Sequence, residues 1–132
     1  MPTDTTLKGA LRQFGLNVST HIGAPWTYAL PNGEICHLCW REGRSITWPK
    51  SAQGAVTYRD TFDDFDPGRP GVNAMDSFRL LAEAQAEKKV VRCIIVSGSK
   101  SDGTRYMARP DWSGRVMLAV AEPGVGIEVF FR

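Results

Sequence analysis

The chain has 132 residues, 42% hydrophobic and 23% charged, the proportions of one globular domain with one core and not of a disordered, collagen-like or disulfide-dense chain. Sixteen Lys and Arg against fourteen Asp and Glu leave a formal charge of +2. That is too little for the broad basic surface of a tight non-specific nucleic-acid binder, so any such binding must be local. Eleven of the sixteen basic residues are Arg, whose planar fork suits phosphate, carboxylate or base-edge recognition.

No apolar run reaches the roughly 18 to 20 residues of a membrane helix, and the opening stretch lacks the apolar segment of a signal peptide. The expected location is therefore the cytoplasm, without membrane contact. Three cysteines, Cys36, Cys39 and Cys93, cannot all pair within one chain, and reduced thiols are expected.

In chain order, Thr3 or Asp4 is placed to cap a short helix in which Leu7, Leu11 and Phe14 share a face and Gly15 follows as a C-cap. Residues 26–30 and 34–41 read as strands joined by Pro31-Asn32-Gly33, a hairpin turn in which Asn-Gly accepts positive φ. Glu42-Gly43-Arg44 turns the chain into a third strand, 45–48, which predicts a three-strand meander ended by Pro49. Tyr58-Arg59-Asp60 extends a strand, after which the Asp, Pro and Gly residues up to position 71 read as a long loop.

Asn73 is placed to cap a second helix, with Met75, Phe78, Leu81 and Ala82 as its apolar stripe and Lys88-Lys89 at its negative end. Residues 90–96, VVRCIIV, are apolar and β-branched, as in a strand buried on both faces. A turn at 97–103, a short strand at 104–108 and a closing hairpin of 115–121 with 126–131 follow. Together these predict a single α+β domain over residues 1–132: a mostly antiparallel sheet of about six or seven strands, one main helix packed on a face, and a short N-terminal helix.

Cys36-His37-Leu38-Cys39 has the spacing of half a zinc site or a redox pair. On a strand, however, Cys36 and Cys39 point to opposite faces, and only His21 and Cys93 remain as further donors. Packing is the expected role, and neither a metal nor another cofactor is expected. Asp60, Asp63, Asp64 and Asp66 lack the spacing of a cation loop and read as solvated turns. Neither a nucleophile elbow nor a phosphate-binding loop is present, so no catalytic set is named and the chain is not expected to be an enzyme.

Aromatic and basic residues interleave at Trp26, Trp40-Arg41, Arg44, Trp48, Lys50, Tyr58-Arg59, Arg105-Tyr106, Arg109 and Trp112. Aromatic faces stack bases and Arg forks hold phosphates or guanine edges, although each Trp is also a good core residue. The candidate nucleic-acid contacts are Arg44, Trp48, Lys50, Arg59, Arg105, Tyr106, Arg109 and Trp112.

The capped helix at 73–89, the strand VVRCIIVSG at 90–98, the polar turn and the segment RYMARPDW at 105–112 resemble the N-terminal modified-DNA-binding domain of McrA-type restriction endonucleases and related small bacterial proteins. The resemblance covers about half of the chain by order of elements. It implies a reader of methylated or hydroxymethylated cytosine in duplex DNA, with Arg105, Tyr106, Arg109 and Trp112 near the reading surface. The family's separate His-Asn-His nuclease is not matched, since this chain holds two histidines. The expected function is a non-catalytic DNA-binding module that reads modified cytosine through an Arg/aromatic surface, with double-stranded DNA as partner. The alternative is a phage- or plasmid-encoded inhibitor or interaction module whose partner is a protein of a host complex and whose Trp and Arg anchor that interface.

Overall fold

The computed structural model describes residues 6–17, 26–43, 46–51, 53–61, 72–99, 103–120, 122 and 125–132. Helix α1 (Leu7–Arg12) is followed by strands β1 (Thr27–Ala29), β2 (Ile35–Trp40), β3 (Ile46–Thr47) and β4 (Val56–Asp60). Helix α2 (Val72–Glu87) and strands β5 (Val91–Ser99), β6 (Gly103–Val120) and β7 (Gly126–Phe131) complete the order. The fold is α+β, built on one seven-stranded sheet in the order β1-β2-β5-β6-β7-β4-β3. All neighbours are antiparallel except β2 and β5.

The turn at Pro31-Asn32-Gly33 forms as its residues require. Gly33 has φ 89°, the Asn32 side chain accepts from the Glu34 N–H at 3.0 Å, and β1 pairs with β2 from Thr27 opposite His37. The predicted meander does not continue. β3 pairs with β4 at the far edge of the sheet, while the other side of β2 is taken by β5 in parallel. The physical reason is burial: five of the six β2 residues are buried, so β2 needs a doubly buried neighbour, and β5 with Val91, Cys93, Ile94 and Val96 is one. The short strand expected at 104–108 and the one at 115–121 are a single element, β6.

That element is where the sheet turns a corner. Its first part pairs with β5 up to Arg109 opposite Cys93, its last part pairs with β7 from Gly114 opposite Phe131, and Gly114 also faces Val91. Pro110 to Ser113 therefore stand against the single residue Arg92, a wide irregularity that bends the strand and tolerates a proline without an N–H. Arg92 fastens this insertion. Its Nη1 donates to the Trp112 carbonyl at 3.2 Å while its Nε and Nη2 grip the Glu34 carboxylate at 3.0 and 3.3 Å.

Because of the corner, the two halves of the sheet close on each other. Tyr58 of β4 reaches across to β2, where its hydroxyl accepts from the Trp40 N–H at 3.3 Å, although four strand steps separate the two strands in the ladder. The inner core lies between the halves and holds Ile35, Cys39, Val56, Tyr58, Val91, Cys93, Val116, Ile127, Val129 and Phe131, with Phe78, Leu81 and Ala84 of α2. The outer core, under α1, holds Leu7, Ala10, Leu11, Cys36, Leu38, Ile94, Val96 and Ala108.

Both helices are capped differently from the sequence expectation. Thr6, and neither Thr3 nor Asp4, caps α1, its hydroxyl accepting from the Gly9 N–H at 3.1 Å. α2 begins at Val72, which puts residue 73 inside the helix. Its buried stripe is Phe78, Leu81 and Ala84, whereas Met75 and Ala82 are exposed. Lys88 ends α2 in the left-handed conformation, φ 55°, with the Lys89 N–H donating to Ala84 O at 2.9 Å, a closure of the Schellman kind.

Candidate nucleic-acid interface

The eight residues singled out from the sequence divide into separate groups. Arg44 lies outside the described residues, as do Asp63, Asp64 and Asp66. Trp48, Arg109 and Trp112 meet at the seam between the two sheet halves. The Trp48 ring lies 4.8 Å from that of Tyr58 and 6.3 Å from that of Trp112, and Trp112 stacks on Phe131 at 5.7 Å. Both tryptophans are half-buried against the inner core, so core packing accounts for most of their surface.

Arg109 lies over the Trp112 ring, its Cζ 4.0 Å from the centroid. Its fork is taken by Asp111, with Nε–Oδ1 at 3.0 Å and Nη2–Oδ2 at 2.8 Å. That charged hydrogen-bond pair holds Asp111 below the usual carboxylate range and raises Arg109 above its own. An incoming phosphate would have to compete with Asp111 for this guanidinium.

Arg59 points away from the seam and pairs with Glu128 at 3.0 Å on the outer side of β4 and β7. Lys50 is exposed and bridges to Val56 at the start of β4. Neither belongs with the remaining pair. Arg105 and Tyr106 lie near the start of β6, at one rim of the sheet, where Arg105 faces Ser97 and Tyr106 faces Val96.

At the same rim stand two residues the sequence reading did not select as contacts. Val96 also faces Trp40, the last residue of β2, so Trp40, Val96 and Tyr106 make one cross-strand row on the outer face. Trp40 is 40% exposed, and Tyr106 is packed against the outer core. Arg41 follows, exposed, with its N–H donating to Val96 O at 2.8 Å. By alternation Arg105 faces the opposite side of the sheet from Tyr106. The signal for Trp40 was present in the alternation of Ile35 to Trp40. Missing was the knowledge that β2 ends there, at the rim of the sheet, with the ring partly exposed.

The CHLC string divides between the two cores: Cys36 joins the outer one and Cys39 the inner one. Burial pushes both thiols up, so they are neutral and poor nucleophiles. His37 is buried, its Nδ1 2.8 Å from Thr27 Oγ1, and burial pushes its pKa down to about 3. Among the described residues no group of three or more His, Cys, Asp or Glu is arranged to hold a metal ion, and no helix is long and apolar enough to cross a membrane.

No family model, curated protein or solved structure matches the chain.

Proposed function

We propose that the protein is a non-catalytic DNA-binding module whose contact surface is the sheet rim at Arg41, Arg105 and Tyr106. The observation that carries this reading is the presence of two exposed arginines and a partly exposed aromatic at the same end of β2 and β6, the strands on either side of β5. Guanidinium groups suit phosphates, and an aromatic edge suits a sugar or base. A surface of this size fits the small net charge, because it asks for local and not global attraction.

The resemblance of the segments between residues 73 and 112 to readers of modified cytosine makes methylated and hydroxymethylated duplexes the first ligands to try. A mobility-shift series with unmodified, methylated and hydroxymethylated duplexes, run across about 50 to 200 mM salt, tests the reading. Binding that weakens steeply with salt is expected. Absence of retention of any duplex at the lowest salt overturns it.

One observation favours a protein partner instead. Met117 is 58% exposed and Met75 44% exposed, and exposed methionines make adaptable apolar contacts. Such an interface would respond little to salt.

A further inference from the structure

The two halves of β6 are served unequally by their neighbours. Gly103 to Arg109 pair with β5, whereas β7 pairs only with residues from Gly114 to Val120. The lane that β7 occupies stops at the corner, where Ser113 and Arg132 exchange main-chain bonds at 3.1 and 3.0 Å. Among the described residues no strand lies beside Gly103 to Arg109 on the side away from β5. The second half is better supplied, since Gln85 of α2 donates Nε2 to the Met117 carbonyl at 3.0 Å and Arg115 donates to the Lys88 carbonyl.

A strand bonded on one side directs the N–H and C=O of every second residue away from its neighbour. The chemistry complementary to such a row is the main chain of another extended segment. The open lane begins after Gly103, whose φ of 85° belongs to the turn, and stops at Pro110, which has no N–H to donate. Between these limits it runs for about 20 Å, the length of an ordinary strand. The two outer edges of the sheet, β1 and β3, have only three and two residues and are poor templates by comparison.

Charge selects the occupant. Gly103 to Arg109 holds two arginines and no acidic residue, and by alternation both arginines lie on one face. If the edge paired with a second copy of itself about Met107, Arg105 of each copy would stand opposite Arg109 of the other, and like charges so placed destabilise a sheet. Acidic side chains on an incoming strand reverse that sign. Asp111 already shares Arg109, so most of the attraction falls on Arg105, which is exposed.

We propose that the β6 edge from Thr104 to Arg109 is a docking site for an extended acidic segment of a partner protein, which adds to the sheet as a strand in line with β7. The proposal does not use the DNA-binding reading, and either can fail without the other.

The test uses a short, end-blocked, fluorescent peptide of alternating Val and Glu. Its controls are the same peptide with Lys for Glu and two versions N-methylated at alternate residues, one for each edge of the peptide. Fluorescence anisotropy should show the Glu peptide bound and the Lys peptide roughly 2- to 30-fold weaker, as expected for two charged cross-strand pairs. Arg105→Glu, checked for an unchanged denaturation midpoint, should reverse that preference, and one of the two N-methylated peptides should lose binding. Hydrogen exchange should slow at amides between Thr104 and Arg109 when the Glu peptide is added. Equal binding of the parent and both N-methylated peptides, protection at Thr27–Ala29 instead, or no binding of any peptide would overturn the proposal. A dimer in sedimentation whose formation alone protects Thr104 to Arg109 would overturn it too, by giving the edge to a second copy.

Discussion

Trp48 donates its indole N–H to the main-chain oxygen of Trp40 at 3.0 Å. The donor stands just beyond β3, one edge of the sheet, and the acceptor closes β2 near the other edge. This bond and the Tyr58–Trp40 bond stitch the curled sheet along its open side. Trp48→Phe keeps an aromatic ring of smaller size and removes the donor, leaving the Trp40 carbonyl with water as its partner. The expected loss is about 1 kcal/mol or somewhat more, read as a lower urea midpoint with an unchanged slope. An unchanged midpoint would mean that the bond adds nothing to closure.

Gly114 is the pivot of the corner. A Cβ there would lie 2.6 Å from Cδ1 and Cε1 of Phe131 and 3.1 Å from the Val91 carbonyl. Phe131 is fully buried and stacked on Trp112, so it has little room to give way. Gly114→Ala should destabilise the fold by about 1 to 3 kcal/mol, as overpacking does. A thermal midpoint equal to that of wild type would show that the corner relaxes more freely than its packing indicates.

Ile94 is completely buried in the outer core, on the strand that lies between β2 and β6. Ile94→Ala should cost about 2 to 5 kcal/mol. Chemical denaturation measures this directly, and a shift well below that range would mean that α1 and its neighbours collapse into the space.

His37 links stability to pH. Its pKa is pushed down from 6.5 to about 3 by burial in the folded state, so the unfolded chain binds a proton that the native protein refuses. The sign follows: the contribution of neutral His37 is complete above pH 6.5 and declines as the pH falls through the interval between the two values, by about 1 kcal/mol per pH unit. Glu34, held down by its hydrogen bonds to Arg92, and Asp111, held down by Arg109, lose their contributions only at more acidic pH. Denaturation midpoints should therefore fall between pH 6.5 and 4.5 in wild type, and His37→Gln should flatten that slope. Parallel slopes would assign the acid sensitivity elsewhere.

Arg105→Ala and Trp112→Ala should separate binding from folding. Arg105 is exposed, and its replacement should leave the midpoint within about 0.5 kcal/mol of wild type while lowering affinity for all duplexes and reducing the salt slope by about one. Trp112 packs on Phe131 and under Arg109, and its loss should cost about 3 kcal/mol of stability. A stable Trp112→Ala variant with altered base preference would return Trp112 to the binding surface.

Much of the architecture was legible because it is local. The Asn-Gly turn, the alternation through CHLC and the apolar run of β5 each carry their own signal within a few residues. Long-range pairing carries none of that kind. Whether Ile46 and Thr47 join β2 or β4 depends on which strand requires burial on both sides, a property of the assembled sheet. The same holds for the candidate contacts: Trp48 and Trp112 look like surface residues beside Pro, Asp and Ser, yet both pack against the inner core. Trp40, set among core-forming neighbours, is the more exposed ring.

The strand order has a consequence for how the chain assembles as it is synthesised. β2 and β5 are neighbours in the ladder but are separated by β3, β4 and α2 along the chain, and β4 finds its main partner only in β7. Until residues 91–99 have emerged β1–β2 can exist only as a two-stranded fragment, and β3–β4 remains one until residues 126–131 follow; such fragments are marginally stable in water. The rate of reaching the native state is then governed by late, distant pairings. A nascent chain stalled before β7 should remain open to proteases around β3 and β4, which have no other link to the sheet.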